Sequence, residues 1–311
     1  MKIAIVGAGI AGLSCAEALM LQGHTVLLFD KGRGAGGRMA TRRVATPSGD
    51  VAFDHGAQYF TARDPAFVAA VARWRASGAV AMWPSAGDDA WVGTPGMSAV
   101  VKAIADPLDV RWNTRVDAVR RIGSSWILDP VSQDAFDAVV IAVPAEQAVS
   151  LLAAHDPAMA TIAQACPSAP CWTAMVAFDE RIAIAADVIR DAGILGWAAR
   201  NNAKPRRGPT EAWVLQATPT WSREHLEDDE TTVVDALLAA LAVETDQILP
   251  KPTVRIGHRW RYARVEATNR GALWNAETGI GAVGDWLIGP RVESAWLSGR
   301  MLADRILATP V

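Results

Sequence analysis

Three glycines, an acid and a second glycine run ending in arginine carry the clearest chemistry in this chain. Gly7, Gly9 and Gly12 stand in G-x-G-x-x-G spacing, Asp30 follows, and Gly32 to Gly37 lead into Arg38. In such a motif the first glycine permits a tight turn, and the second leaves bare backbone for a pyrophosphate. The third lets a helix pack closely on a strand. Asp30, followed by Lys31, stands where an acid holds ribose hydroxyls, and its charge disfavours a 2′-phosphate. The second run lets backbone press on a long ligand, Gly37 included, while Arg38 reaches a phosphate with its forked guanidinium. These residues point to a dinucleotide, and the first motif by itself fits NAD and FAD equally.

The elements that must position them are legible on either side. Lys2 to Val6 is a short apolar strand, residues 10–22 have a helical apolar pattern stopped by Gly23, and Thr25 to Phe29 is a second strand. Free N–H groups at the helix start favour an anion.

Composition narrows the class. With 311 residues and 51% hydrophobic content, the chain supports one large or two intertwined domains. A net charge of −3 carries no nucleic-acid or acidic-membrane signature. Thirteen Trp against two Tyr suggest broad aromatic walls. Cys15, Cys166 and Cys171 form neither a zinc spacing nor a disulfide framework, which points to a reducing compartment. The apolar N-terminus reads as strand and helix rather than signal peptide, and Glu17, Gln22 and His24 interrupt the one stretch that could span a membrane. The expectation is a cytoplasmic protein without membrane or nucleic-acid partners.

Further along, residues 65–77 read as a helix, Ser98 to Ala105 as another, and Val110 to Leu128 as three short strands with a turn at Gly123. Phe136 to Val143 reads as a buried strand closed by Pro144. Strands at 172–178, 193–199, 212–217 and 254–265, with a helix over 231–243, suggest a second sheet. Along the last strand His258, Trp260 and Tyr262 alternate onto one face, Arg259 and Arg261 onto the other, so one side is expected to border a cavity. The basic loop Lys204-Pro-Arg206-Arg207 reads as a solvated hairpin tip. Gly279-x-Gly281-x-x-Gly284 imitates the first motif, but no long helix follows it directly, so it is not a second dinucleotide site. Residues 292–307 form an amphipathic helix with Arg291 before it and Val292 and Glu293 in its first turn.

Taken together, G-x-G-x-x-G, the acid and the G-G-R segment resemble the flavin-dependent amine oxidase superfamily, whose members bind extended FAD. The resemblance implies an α/β fold. A Rossmann-type FAD-binding domain of the p-hydroxybenzoate hydroxylase/amine oxidase kind would combine with a second α+β substrate domain on a mixed or antiparallel sheet. Residues 1–62, 98–150 and 270–311 would form the first, 63–97 and 151–269 the second. Gly284-Asp285 resembles the closing motif whose aspartate binds the ribityl chain, and the last helix would aim its N-terminus, with Arg291, Val292 and Glu293 against the cofactor, at the flavin's pyrimidine edge.

The string Asp54-His-Gly56-Ala57-Gln58-Tyr59-Phe-Thr resembles the superfamily segment that runs beneath the flavin, which would put Gly56, Ala57 and Gln58 against the cofactor, and with Gly93-Thr-Pro-Gly-Met97 and Trp260-Arg-Tyr262 it is similar to the bacterial renalase branch. That branch implies an oxidase taking hydride from a 2- or 6-dihydro isomer of NAD(P) to the N5 atom of non-covalent FAD. Molecular oxygen would reoxidise it with release of hydrogen peroxide. Gln58, Tyr59, His258, Trp260 and Tyr262 would border the substrate, and no residue is singled out as catalytic. No metal cluster, Ser-His-Asp set or carboxylate pair stands out. An amine oxidase is the nearest alternative, although none of the five lysines (Lys2, Lys31, Lys102, Lys204, Lys251) has a favourable place for one. A flavin-binding sensor without turnover is another.

Overall fold

A computed structural model describes residues 1–47 and 49–309. In chain order, the first half comprises β1 (Lys2–Val6), α1 (Ile10–Leu21), β2 (Thr25–Phe29), β3 (Thr41–Thr46), β4 (Gly49–Asp54), α2 (Pro65–Ala76), β5 (Val80–Met82), β6 (Trp91–Gly93), α3 (Ser98–Ala105), β7 (Asp109–Arg111), β8 (Ala118–Ile122), β9 (Ser125–Asp129), β10 (Ser132–Phe136) and β11 (Ala138–Ile141). Then come α4 (Ala145–Leu152), α5 (Pro157–Gln164), β12 (Ala169–Phe178), β13 (Val188–Ala192), β14 (Leu195–Arg200), β15 (Glu211–Ala217), α6 (Pro219–Glu224), α7 (Glu230–Thr245), β16 (Val254–Arg264), β17 (Leu273–Asn275), β18 (Ile280–Ala282) and α8 (Val292–Leu307).

Two sheets organise the molecule. The first has the order β17-β18-β11-β1-β2-β7 and is parallel except for its β17–β18 edge. Its centre is buried on both faces, as parallel sheets require. Ile3 and Ile5 face the core shared with α1, and Ala4 and Val6 face a second core with Val139, Ile141 and Ile280. The second sheet, β13-β14-β15-β12-β16, is antiparallel throughout. One face, with Trp172, Ala174, Val176 and Phe178, packs on α7, while Met175 and Ala177 pack on Val51 and Phe53 of the β3–β4 hairpin.

Helices α1 and α8 lie against each other because Gly299 has no side chain. A Cβ there would sit 2.1 Å from both Ala11 O and Ser14 Oγ. Ser14 Oγ donates to Trp296 O across that contact at 2.8 Å.

The expected elements β1, β2, α3 and α8 have the bounds read from the sequence. The structure corrects others. The first strand of the expected 110–128 meander, β7, joins the edge of the parallel sheet beside β2, and only β8 and β9 form a hairpin, joined by β10. Phe136 ends β10, so the buried strand β11 is limited to Ala138–Ile141. Gly193, at φ 55°, is the turn between β13 and β14 rather than the start of a strand. No helix of the described residues is long and apolar enough to cross a membrane.

Candidate active site

Both sheets open onto one cavity of about 1890 Å³, larger than the ~300–1,000 Å³ of an ordinary small-molecule site. One end is backbone. Gly7, at φ 105°, turns the chain after β1, and a Cβ there would meet Ala142 O at 2.5 Å. Gly12 does not line the cavity; a Cβ on it would sit 2.1 Å from Gly7 O, so this glycine serves helix-to-turn packing. A Cβ on Gly9 would meet nothing within 4 Å and would project into the cavity. The three glycines thus divide turn, close packing and open space as their spacing predicts. Gly37 comes within van der Waals reach of Gly9, 4.0 Å from its hypothetical Cβ to Gly9 Cα, which brings the two glycine loops together.

Asp30 organises this end. Its carboxylate accepts Ala8 N–H at 2.7 Å and Gly32 N–H at 2.6 Å, clamping both glycine loops to the tip of β2. Lys31 is exposed and donates to Gln147 at 3.1 Å. Arg38, expected from the sequence to reach a phosphate, lines the cavity and pairs with Asp285 through two bonds of 2.6 and 2.7 Å. Residues separated by most of the chain therefore meet at one point of the cavity wall. Gly284 is buried, and its N–H donates to Ser298 Oγ at 3.0 Å.

Residues 54–58 form the strip between this end and the far wall. A Cβ on Gly56 would lie 2.0 Å from Arg38 O, and Ala57 N–H donates to that same carbonyl at 2.8 Å. From the second sheet, Trp260 Nε1 donates to His55 O and Gln216 Nε2 to Gly56 O, both at 2.8 Å. Gln58 closes the turn by donating to Asp54 O and Gly56 O. Beneath it Asp54, Lys204 and Arg207 are buried together. This overturns the reading of the 204–207 loop as a solvated tip for Lys204 and Arg207, though Arg206 is exposed, and β4 supplies the carboxylate that draws the two cations inward. Burial alone would raise the Asp54 carboxyl, but Lys204, Arg207 and Met97 N–H outweigh it and hold it below its ordinary value. Burial also depresses the Lys204 ammonium, to about 8, against the opposing pull of Asp54.

The far wall is aromatic. The ring of His55 meets His258 at 4.9 Å and Trp260 at 5.1 Å, and His258 meets Trp260 at 4.3 Å. Burial is the largest force holding both imidazoles neutral. It combines with His258 and Arg42 to take His55 down to about 4, and with Arg42 to lower His258. Tyr59 stacks on Trp197 at 5.3 Å, with the Arg190 guanidinium 4.9 Å from the Trp197 ring. Tyr262 also lines the cavity. Arg259 and Arg261 both pair with Glu227, but they line the same cavity, so β16 does not give one face alone to it as the alternation led us to expect.

At the start of α8, Arg291 and Val292 line the cavity and Glu293 does not. Glu293 is 3% exposed and accepts Arg63 N–H at 2.6 Å and Asp64 N–H at 2.7 Å besides pairing with Arg291. It fastens the start of α2 to α8, and its expected place against a cofactor is corrected accordingly. His55, Trp197, Lys204 and Arg207 were not among the residues expected here, and the burial of Asp54 that draws in the two cations is set by the fold.

Family profiles match two parts of the chain. An NAD(P)-binding Rossmann-like domain covers residues 5–74, and flavin containing amine oxidoreductase covers residues 84–307. The chain belongs to the flavin-containing amine oxidoreductase family. As a member it is an FAD-dependent oxidoreductase. The 4,4'-diapophytoene desaturases of Staphylococcus aureus strains Newman and USA300 are 51% identical over 39 residues, which is 12% of this chain. The match covers only 8% of the length of these curated relatives. Solved structures extend the similarity of fold to the whole chain. Cyclohexylamine oxidase from Brevibacterium oxydans IH-35A has a TM-score of 0.71 at 13% identity, covering 98% of each chain. Putrescine oxidase bound to putrescine has 0.74 at 14% identity over 99% of each. A protein of Exiguobacterium sp. 255-15 whose name suggests a protoporphyrinogen oxidase has 0.78 at 12% identity over 98% of each.

The residues present fit FAD. The open space at Gly9, the convergence of Gly37 upon it and the α1 N-terminus form a cradle that a side chain would fill.

Proposed function

We propose that this flavoenzyme is a renalase-like oxidase whose substrates are 2- or 6-dihydro isomers of NAD(P). The observation that carries this reading is the far wall, where Tyr59 and Trp197 stack and His55, His258 and Trp260 cluster. Such a wall suits a flat heteroaromatic ring, and its two imidazoles are held neutral, so they do not repel the nicotinamide cation formed as product. An ammonium substrate finds less there. Most acids on that rim are already engaged, Glu227 by two arginines, Asp228 by His225, Asp229 as the α7 cap and Glu230 by Gly257 N–H, which leaves exposed Asp191 as the acid open to an ammonium there.

Bound FAD supplies hydride acceptance, with reoxidation by O2 to hydrogen peroxide. Asp30, Lys31, Gly37, Arg38, Asp285, Arg291 and Val292 would hold the cofactor, and the far wall would stack and orient the substrate ring. Residues 1–62, 98–150 and 270–311 would serve FAD and 63–97 with 151–269 substrate, with His55 and Tyr59 of the first set completing the substrate wall. Attachment is non-covalent. The one cysteine on the cavity wall, Cys171, has its thiol pushed up to about 11 by burial and is a poor nucleophile. The protein is placed in the cytoplasm, in keeping with its three unpaired cysteines.

Anaerobic mixing of the purified yellow protein with amines, ordinary NADH, and the 2- and 6-dihydro isomers tests this. Rapid bleaching by the isomers alone is expected. Bleaching by amines identifies an amine oxidase, and no bleaching by any of them a binding module.

A further inference from the structure

One anion and two cations are buried together behind the 54–58 strip. The side chains of Asp54 and Lys204 are 0% exposed and that of Arg207 is 2% exposed. Lys204 Nζ lies 3.3 Å from Asp54 Oδ2 and 3.0 Å from Gln58 Oε1, and 5.2 Å from the Trp83 ring centroid. Arg207 donates to the same Asp54 oxygen. The other oxygen, Oδ1, is filled by uncharged donors, Thr41 Oγ1 at 2.7 Å and Met97 N–H at 2.9 Å. Arg200, nearby in the chain, pairs with two acids of its own, buried Glu211 and part-exposed Asp187, and adds no positive charge to the cluster. The cluster therefore retains one net positive charge where water screens it little.

Neither Lys204 nor Arg207 lines the cavity, whereas Gln58, which Lys204 holds, does. Gly56 and Ala57 abut the Arg38 carbonyl on the glycine side, while Trp260 and Gln216 grip His55 and Gly56 from the aromatic side. A ligand reaching from the glycine cradle to the aromatic wall must pass over this strip, one side chain away from the buried charge.

We infer that the Asp54–Lys204–Arg207 cluster tunes FAD, its net positive charge favouring the electron-rich reduced flavin and so raising the cofactor's two-electron reduction potential. A fixed charge behind a site acts on the state in which opposite charge develops, without touching the reacting atoms. These are positioning residues in the electrostatic sense, and their effect depends on no particular substrate.

The midpoint potential of the FAD-loaded protein, measured at pH 7 by anaerobic equilibration with a reference dye, decides the matter. Lys204→Met removes a cation and is expected to cut the reduced-to-oxidised ratio at fixed poise about tenfold, a fall of about 30 mV. Asp54→Asn combined with Lys204→Met restores the original net charge and should return the potential close to wild type. If Lys204→Met does not fold, Arg207→Gln removes the other cation and should lower the potential likewise. A raised or unchanged potential in a cation-removing variant that keeps its flavin overturns the inference. Because no substrate enters the measurement, its failure is separate from any failure of the dihydronicotinamide reading.

Discussion

The glycine end of the cavity and its far wall are assembled differently. The glycine end is mostly backbone from one stretch, residues 7–38, in which Gly9 leaves room and Asp30 clamps two loops through main-chain N–H groups. The far wall is side chains from distant segments, with His55 after β4 meeting His258 and Trp260 on β16, and Tyr59 meeting Trp197 on β14. Backbone recognition needs local turns and small residues, so it tolerates little variation at a few positions. A side-chain wall needs two sheets to dock correctly, but each ring in it can be altered without removing the cradle.

That contrast is easiest to break at the glycines. Gly9 has extended angles, φ −74° and ψ 175°, which valine also adopts. Gly9→Val should therefore keep the fold, at a cost of about 1 kcal/mol or less, yet give colourless protein because its side chain occupies the cofactor's space. Gly12→Val should instead destabilise the chain itself by about 1–3 kcal/mol, since its Cβ collides with Gly7 O. Flavin absorbance and thermal melting distinguish these outcomes, and a yellow Gly9→Val protein would remove the cradle from the argument.

A second prediction sharpens the far wall through pH. The folded His55 pKa of about 4 lies below its ordinary 6.5, so the unfolded chain binds its proton first on acidification. Its contribution is complete above pH 6.5 and is lost as pH falls towards 4, roughly 3 kcal/mol in all. His55→Gln should make the urea-unfolding stability profile shallower within that window, leaving the part due to His258, which burial and Arg42 also lower. Asp54, also lowered, acts below the usual carboxylate range and leaves this window undisturbed.

The smallest expected effect is on Trp197. Trp197→Leu removes the stack on Tyr59 while leaving the glycine end intact. It should retain FAD and lose about tenfold in kcat/KM, about 1.4 kcal/mol, in the peroxide assay with the preferred isomer. Loss of flavin from this variant would show that the two ends are not separable.

How much was legible follows the same division. The turn, packing and open-space roles of Gly7, Gly12 and Gly9 could be read because each depends on neighbours close in sequence, and the β1, β2 and α8 bounds followed from apolar pattern and glycine stops. That His258, Trp260 and Tyr262 of β16 border the cavity was legible too, but that Arg259 and Arg261 border it as well was not, nor was the neighbour His55, since nothing local to residue 55 announces an aromatic neighbour two hundred residues away. Arg38 and Asp285 were each placed near a cofactor, and only the fold pairs them with each other. Glu293 was read from its place in a helix's first turn, a position compatible with a cofactor, until the docking of α2 claimed its carboxylate.

By itself, then, the sequence determined that a strand, a glycine turn and a helix would make a dinucleotide cradle, because spacing and backbone freedom act over a few residues. Tertiary structure alone decided that Lys204 and Arg207, which look like a solvated basic loop, are buried on Asp54 behind the cavity. A charge's environment depends on what distant strands bring beside it, and no local pattern of residues encodes that.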